Sequence, residues 1–436
     1  MVSFDISSSG LSFALEKIRP TLCKVAITVP QHVVSLVYEQ ATLAQCDHIQ
    51  APGFQKGSIP ISYVEHHFGA TLTEHLKEFL FNYFALSFLF DQLTLHKLAI
   101  AGDPRLLTMD VEPHKDARFT FELTIFPELE LQEWRYFPFK APKRKKYKDL
   151  DRQVENFVND EKENLKSLTG SSVAVNDWVN FEVRLVSPEG VPLLGAHEKS
   201  LWLKIGDEEA DGPLRDIFLG KSVGEQFCTI SAALQEYFSY RMNARYTFCI
   251  TIKSILHHKY FSFDDFKRHF KLKTNKDMMR KLIEVFSYRN DISQRRAMAE
   301  DSLALLLARH SFSVPNHLVL RQQKAVLNRI KTNSDYHVYR MQRDFKERVF
   351  QLAQKQAKET ILIDQIAYAE NLQVTRQDIE CYLNLTKRPR MKEFIYFDPP
   401  ISKVDGKEMP LSEEEMKHAC LREKTLNYII YHLTQE

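Results

Sequence analysis

Phe54 and Lys56 are the residues whose setting asks for a partner outside the chain. They stand in Gly53-Phe54-Gln55-Lys56-Gly57-Ser58-Ile59-Pro60, where two glycines and a proline forbid a continuous helix or a regular strand. An aromatic ring and an ammonium so close together on glycine-freed backbone cannot both point into one core. That combination suits docking onto a surface that mixes protein with phosphate.

Other residue clusters offer less chemistry. His66-His67 and His257-His258 lack a third ligand at helical spacing and read as surface or packing residues, so no metal is expected. Cysteines 23, 46, 228, 249, 381 and 420 form no Cys-x-x-Cys pair, which points to reduced, small apolar residues. Only 13 glycines, with no Gly-x-x-x-x-Gly-Lys or Gly-x-Gly-x-x-Gly string, argue against a nucleotide fold; no cofactor is expected and an ATP-driven machine is disfavoured. Lys+Arg of 59 against Asp+Glu of 57 leaves a formal charge of +2, so any phosphate contact must be local. The dense run Lys143-Arg144-Lys145-Lys146-Tyr147-Lys148 could face RNA. It is better read as solvated, offset by the acid-rich helix that follows.

The elements that hold the loop are readable on both sides. Pro30 to His48 carries Val34, Val37, Tyr38, Ala41 and Ala44 at helical spacing, and Ala70 to Leu98 carries Leu76, Phe79, Leu80, Phe84 and Phe88 likewise. Leu22 to Val29 and Arg118 to Ile125 alternate as strands, giving strand, helix, loop, helix, strand over residues 1–125, an α+β sandwich. Phe137 to Pro142 breaks regular structure inside a linker and arm helix spanning 126–169. Residues 170–256 turn to short strands at Trp178–Val186, Leu201–Ile205, Gln226–Ile230 and Tyr246–Ile255, with one helical piece near Pro213–Phe218. From 257 to 436 the pattern is helical throughout, in runs 291–310, 315–331, 339–369 and 412–433, with capping boxes at Ser412/Glu415 and Thr375/Asp378. The amino terminus lacks a cationic start before an apolar run, and no eighteen apolar residues run together, so a cytoplasmic chain without a membrane partner is expected.

Gly-Phe-x-Lys-Gly-x-x-Pro, followed by Val64-Glu65 and Phe68-Gly69-Ala70, resembles the ribosome-docking signature of the bacterial trigger factor family. It departs from that signature at Gln55, where an arginine is usual, and at Ser58, where a lysine is usual. Residues 308–322, opening a helix at Val314-Pro315, and 361–380, with Glu370-Asn371-Leu372-Gln373-Val374, are similar to the family's carboxy-terminal body. The likeness spans essentially the whole chain. It implies a multidomain α+β protein: a docking domain, an inserted antiparallel β domain of FKBP type, and an all-helical chaperone body. It implies an ATP-independent chaperone that meets the large ribosomal subunit at the tunnel exit, through protein and rRNA, by Gly53, Phe54, Gln55, Lys56 and Gly57. Unfolded nascent polypeptides would be its clients, and an exposed docking face leaves room for a homodimer off the ribosome.

Residues 170–256 resemble an FKBP-type prolyl isomerase domain, where an apolar bowl desolvates and twists the imide without a general base. Phe248 and Tyr237 match aromatic bowl positions, Tyr237 on the flap before the last strand. Val183, Leu193, Leu194 and Asp211-Gly212-Pro213-Leu214 replace other usual bowl residues, making floor and wall aliphatic. Slow turnover, a bowl that only holds apolar peptide, and plain core packing all stay open for this pair. In the helical body Met341, Phe345 and Phe350, with Val349 and Leu352, form a stripe that would line a client cradle or, more ordinarily, a helix–helix core. The rival reading is a stand-alone prolyl isomerase with helical dimerisation arms.

Overall fold

Strand β3 (Leu22–Val29) sits at the centre of the amino-terminal sheet because Cys23, Val25, Ile27 and Val29 all fall on one face and are buried. It follows β1 (Val2–Phe4) and β2 (Ser12–Arg19), and after it come α1 (Gln31–His48), α2 (Ile61–Leu80), a π-helical turn at Phe81–Ala85 and α3 (Leu86–Leu95). β4 (Arg105–Asp110) and β5 (Ala117–Thr124) complete the sheet, whose order is β1-β2-β3-β5-β4, antiparallel throughout. Across β3 and β5, Val25 faces Phe121 and Ile27 faces Phe119, so the two apolar faces coincide. This is a computed structural model; it describes residues 2–4, 10–19, 21–55, 57–96, 98, 100, 102, 104–125, 129–131, 133–143, 149–166, 172–186, 192, 198–239, 246–289, 292–331 and 333–435.

The second helix differs from expectation at its start. It begins at Ile61, directly after Pro60, and not near Ala70, because Val64 is fully buried and extends the row Leu72, Leu76, Leu80 by two turns. Pro60 loses nothing there, since the first amides of a helix have no partner within it. The run ends at Leu95 and is interrupted by the π-turn, which lets Phe81 reach Phe119 and Phe121 on β5 (ring centroids 6.1 and 6.0 Å).

After α4 (Leu150–Lys166) come β6 (Trp178–Val186), β7 (Lys199–Lys204), α5 (Gly212–Phe218), β8 (Gln226–Ile230), α6 (Ala232–Phe238) and β9 (Thr247–Leu256). All four anticipated strands are present. A second short helix, α6, joins the one expected, and Tyr237 stands on it and not on a flap. One face of this sheet, with Phe181, Val183, Leu201, Phe248 and Ile250, takes α5 and α6; Phe181 lies 4.6 Å from Phe218.

The carboxy-terminal part is built from α7 (Phe263–His269), α8 (Asn275–Phe286), a ribbon β10 (Tyr288–Arg289) with β11 (Ile292–Ser293), α9 (Gln294–Arg309), α10 (Asn316–Lys331), α11 (Tyr336–Arg340), α12 (Phe345–Ala369) and α13 (Arg376–Thr386). A second ribbon, β12 (Lys403–Val404) with β13 (Lys407–Glu408), precedes β14 (Leu411–Ser412) and α14 (Glu413–Leu433). The region is helical with these short strands added, which the helical period could not reveal because none exceeds two residues. The expected single helix 339–369 is divided at Met341–Asp344, where exposed Gln342, Arg343 and Asp344 offer nothing to bury. Both capping boxes form as read: Ser412 with Glu415, and Thr375 with Asp378.

The middle sheet is not self-contained. Its order is β14-β7-β6-β9-β8, with Leu411 paired to Trp202, so the tail supplies an edge strand. Trp202 is buried on the far face among Tyr382, Leu383, Met416 and Cys420. Hence one side of the sheet is roofed by the helical body and the other by its own helices and by the amino-terminal domain.

Candidate functional site

The docking loop is anchored at two feet and open between them. Ala51 and Ile59 are buried, while Gly53 and Gly57 take φ of +89° and +83°, the left-handed region that side-chain-bearing residues resist. A Cβ at Gly53 would meet nothing within 4 Å, so glycine is required for the backbone's path and not for lack of room. The Phe54 amide donates to the Ala51 carbonyl (3.2 Å) and the Ser58 amide and hydroxyl both donate to the Gln55 carbonyl (3.0 and 2.8 Å), which fixes a tight double turn. Phe54 is 40% exposed and leans on Tyr63 in the first turn of α2 (5.3 Å), which itself lies against the His67 ring (4.3 Å). The ring is thus propped outward by the helix behind it. Gln55 and Gly57 are exposed, and Lys56 lies outside the described residues. The ring neighbours answer for His66 and His67: His67 packs on Tyr63, and His66 on His67 (5.0 Å).

A second apolar feature is the tip of the helical arm. α10 and α12 pair along Val319, Val326, Val349 and Ala353, all buried. Val349 and half-buried Phe345 therefore belong to the seam between the helices. Met341 is 87% exposed, and Val338, Tyr339, Phe350 and Leu352 are exposed around it, an unusual density of apolar surface for one hairpin end. The anticipated stripe splits between these two roles: Met341 and Phe350 face solvent and Phe345 straddles the boundary.

The residues matched to an isomerase bowl lie elsewhere. Phe248 is fully buried, its ring 5.9 Å from Phe238 and 6.4 Å from Tyr246. Tyr237, half-buried, stands beside Phe238 (5.0 Å), and the ammonium of Lys199 lies 5.9 Å from its ring. Burial raises the Tyr237 phenol above its ordinary range, with Glu415 and Glu414 adding to it. The Lys199 ammonium is pushed down to about 8 by burial, against the pull of Glu414 and Glu415. Val183 is buried behind them; Leu193 and Leu194 lie outside the described residues. The space left open here is polar: a cleft of about 350 Å³ lined by Ser87, Asp91, Lys199, Glu413, Glu414 and Lys417, where α3, β7 and α14 meet.

Two buried charged groups hold the domains in register. Asp177, fully buried, accepts from the Ala174 amide (2.9 Å), the His258 amide (2.8 Å) and His257 Nδ1 (2.9 Å), so it clasps the start of β6 to the chain leaving its neighbour β9. Glu161 on α4 accepts from the Phe261 amide (2.7 Å) and pairs with Arg388 through both of its oxygens. Neither was visible in the sequence, since every partner but Ala174 is 80 to 227 positions away. The run 144–148 lies outside the described residues. Among the described residues all six cysteines are free thiols, and no three His, Cys, Asp or Glu side chains converge on a metal position.

Comparison with known proteins bears on both ends of the chain. Residues 11–159 match the family described as bacterial trigger factor protein, and residues 274–430 match the family described as its C-terminus. A trigger factor of Geobacter metallireducens is 21% identical over 397 residues, covering 88% of this chain and 90% of its own. One of Geotalea daltonii is 21% identical over 384 residues, covering 85% and 86%, and one of Haemophilus influenzae (strain PittEE) is 25% identical over 248 residues, covering 56% of each. A solved structure concerned with promiscuous substrate recognition in folding and assembly activities of the trigger factor chaperone aligns over 96% of this chain and 100% of its own, at 14% identity and a TM-score of 0.38. A superposition that loose carries no argument about fold.

Proposed function

Because the chain belongs to the trigger factor family of ribosome-associated chaperones, we propose that it docks beside the tunnel exit of the large subunit through Phe54 and Lys56, with Gly53, Gln55 and Gly57 shaping the loop. The observation that carries this reading is Phe54, held outward on Tyr63 by a loop whose feet are buried. Gln55 and Ser58 leave Lys56 as the loop's one cation, so the apolar ring supplies more of the contact than charge does. Tethering keeps the local concentration of emerging chain high, and weak client contacts then suffice. Met341 and Phe350 at the arm tip supply such contacts, with Phe345 at their foot, to unfolded nascent polypeptides. The cycle uses no ATP, and the site of action is the cytoplasm. Off the ribosome the exposed ring and arm tip are the surfaces through which a homodimer would form.

The working units are residues 1–125 for docking, 126–169 as linker and arm helix, 170–256 as an FKBP-like domain, and 257–436 as the chaperone body. Residues 411–412 of the body also serve the middle sheet. Family membership carries a prolyl isomerase domain with it, and Phe248 and Tyr237 are its aromatic wall. The alternative of a free-standing isomerase with dimerisation arms is not favoured, since the family resemblance lies in the two regions flanking that domain.

The client reading is tested by suppression of aggregation of a denatured protein diluted into buffer, comparing the intact chain with Met341→Ser/Phe350→Ser. Both side chains are exposed, so the fold should survive the change. The double variant is expected to lose most of the suppression at unchanged far-UV circular dichroism; full suppression by the variant would remove the arm tip from the account.

A further inference from the structure

Helix α2 has two buried rows where an amphipathic surface helix needs one. Val64, Leu72, Leu76 and Leu80 form the first, on the side that packs on α1. His75, half-buried Glu78 and Phe79, continued by half-buried Asn82 and by Tyr83 in the π-turn that follows α2, form a second, at i, i+3, i+4, i+7 and i+8, and the contacts of this row given below, outside its own helical run, are to the middle domain. Phe79 lies 4.7 Å from Tyr246 and 6.0 Å from Phe238; Tyr83 lies 5.1 Å from Phe238. Those rings are the neighbours of Phe248, so the second row closes the aromatic end of the sheet.

Polar groups along the row are matched as well. The Asn82 side-chain amide donates to the Phe238 carbonyl (2.7 Å), Lys199 donates to the Asn82 carbonyl (2.5 Å), and the Tyr83 hydroxyl donates to the Val183 carbonyl (3.4 Å). Ser239 gives its one hydroxyl proton to Glu78 (2.8 Å) and therefore accepts from His75 Nδ1 (2.9 Å), which leaves His75 Nε2 to accept from the Tyr246 hydroxyl (2.8 Å). An interface of aromatic rings threaded with satisfied polar pairs can separate and rehydrate without exposing a purely apolar face, as contacts between domains of one chain commonly do.

We propose that the second row of α2 is a stopper, seated in cis in the aromatic bowl of the middle domain, so that the free chain keeps that bowl closed to peptides until the row is withdrawn. The proposal rests on the reading of residues 170–256 as an isomerase-type domain. The same helix begins at the docking loop and reaches Phe79 eighteen residues later, about 27 Å along its axis at 1.5 Å per residue. One rigid element thus joins the surface that meets the ribosome to the plug. A load on the loop has a direct path to the bowl.

The test uses the full chain and hydroxyl-radical footprinting, read at Phe238, Tyr246 and Phe248, with exposed Phe54 and buried Trp134 as internal standards. Wild type should protect all three rings to the level of Trp134. Phe79→Ala, which removes the ring that touches Phe238 and Tyr246, should raise their labelling about tenfold or more while Trp134 stays protected. Asn82→Ala, milder for the fold, should move the same rings in the same direction and decides the matter if Phe79→Ala also exposes Trp134. Wild-type labelling of these rings at the level of Phe54, or protection unchanged in Asn82→Ala, overturns the proposal. A short peptide with an apolar residue before proline, added to the opened variant, separates the two claims: opened rings with exchange at the uncatalysed rate uphold the stopper and sink the isomerase reading.

Discussion

Replacing Glu161 by alanine should cost the chain about 3 kcal/mol, because it strands the charge of Arg388. The carboxylate is almost wholly buried on α4, where it receives the Phe261 amide and both the Nε and Nη2 of Arg388, the latter at 3.0 Å. Arg388 in turn donates to the carbonyls of His258 (3.1 Å), Lys259 (3.0 Å) and Lys387 (3.1 Å), so one ion pair ties α4 to the segment leaving β9 and to the end of α13. Breaking a buried pair from one side typically costs ~3–5 kcal/mol because the other charge is left behind. The retained carbonyl partners and the partial exposure of Arg388 place this case at the lower end. Glu161→Ala/Arg388→Ala should be less destabilised than the sum of the singles by about 1–2 kcal/mol, the signature of direct coupling. Urea unfolding reads the totals, and amide exchange over residues 150–166 reads the local opening of α4. A Glu161→Ala midpoint corresponding to a loss below about 0.5 kcal/mol, the range of ordinary surface changes, would refute the argument.

Two further outcomes follow from the same structure. His75 is held neutral by burial, its pKa lowered from 6.5 to about 4, and the titratable groups facing it are Tyr246 from the strand side and Glu78 through Ser239. The unfolded chain takes up this proton at higher pH than the folded chain does. The contribution is therefore whole above 6.5 and is lost as pH falls from 6.5 toward 4, reaching about 2 kcal/mol by pH 5. Comparing urea midpoints at pH 7 and pH 5 in wild type and His75→Gln should show the extra loss only in wild type; equal losses would dismiss His75 as the cause. Thr375→Ala removes the hydroxyl that accepts the Asp378 amide at the start of α13 and should cost about 1 kcal/mol, whereas Thr375→Ser should cost little. Equal costs for the two substitutions would argue against a capping role.

The strands of the docking domain are legible in sequence where a face is buried against a partner of the same period: Cys23, Val25, Ile27 and Val29 announce themselves by alternation. β4 does not, because five of its six residues are exposed and its pattern carries no period. The loop is legible because Gly53, Gly57 and Pro60 punctuate it locally. The second row of α2 was in view as Phe79 among other buried positions, yet a helix pattern tells only that a face is covered and not which domain covers it. Tyr237 and Phe248 illustrate the same limit. Their types suit a bowl, but whether the bowl is open depends on Phe79 and Tyr83, over a hundred residues away in the chain. Likewise the edge strand at Leu411 and the pairing of Glu161 with Arg388 arise from contacts that no local window contains.

Co-sedimentation with purified large ribosomal subunits, at one fixed low salt concentration, most directly tests whether this chain docks through its glycine-flanked loop. Wild type should pellet with the subunits, Phe54→Ala should stay largely in the supernatant, and Lys56→Glu should pellet less than wild type. Pelleting of Phe54→Ala and Lys56→Glu indistinguishable from wild type would contradict the account.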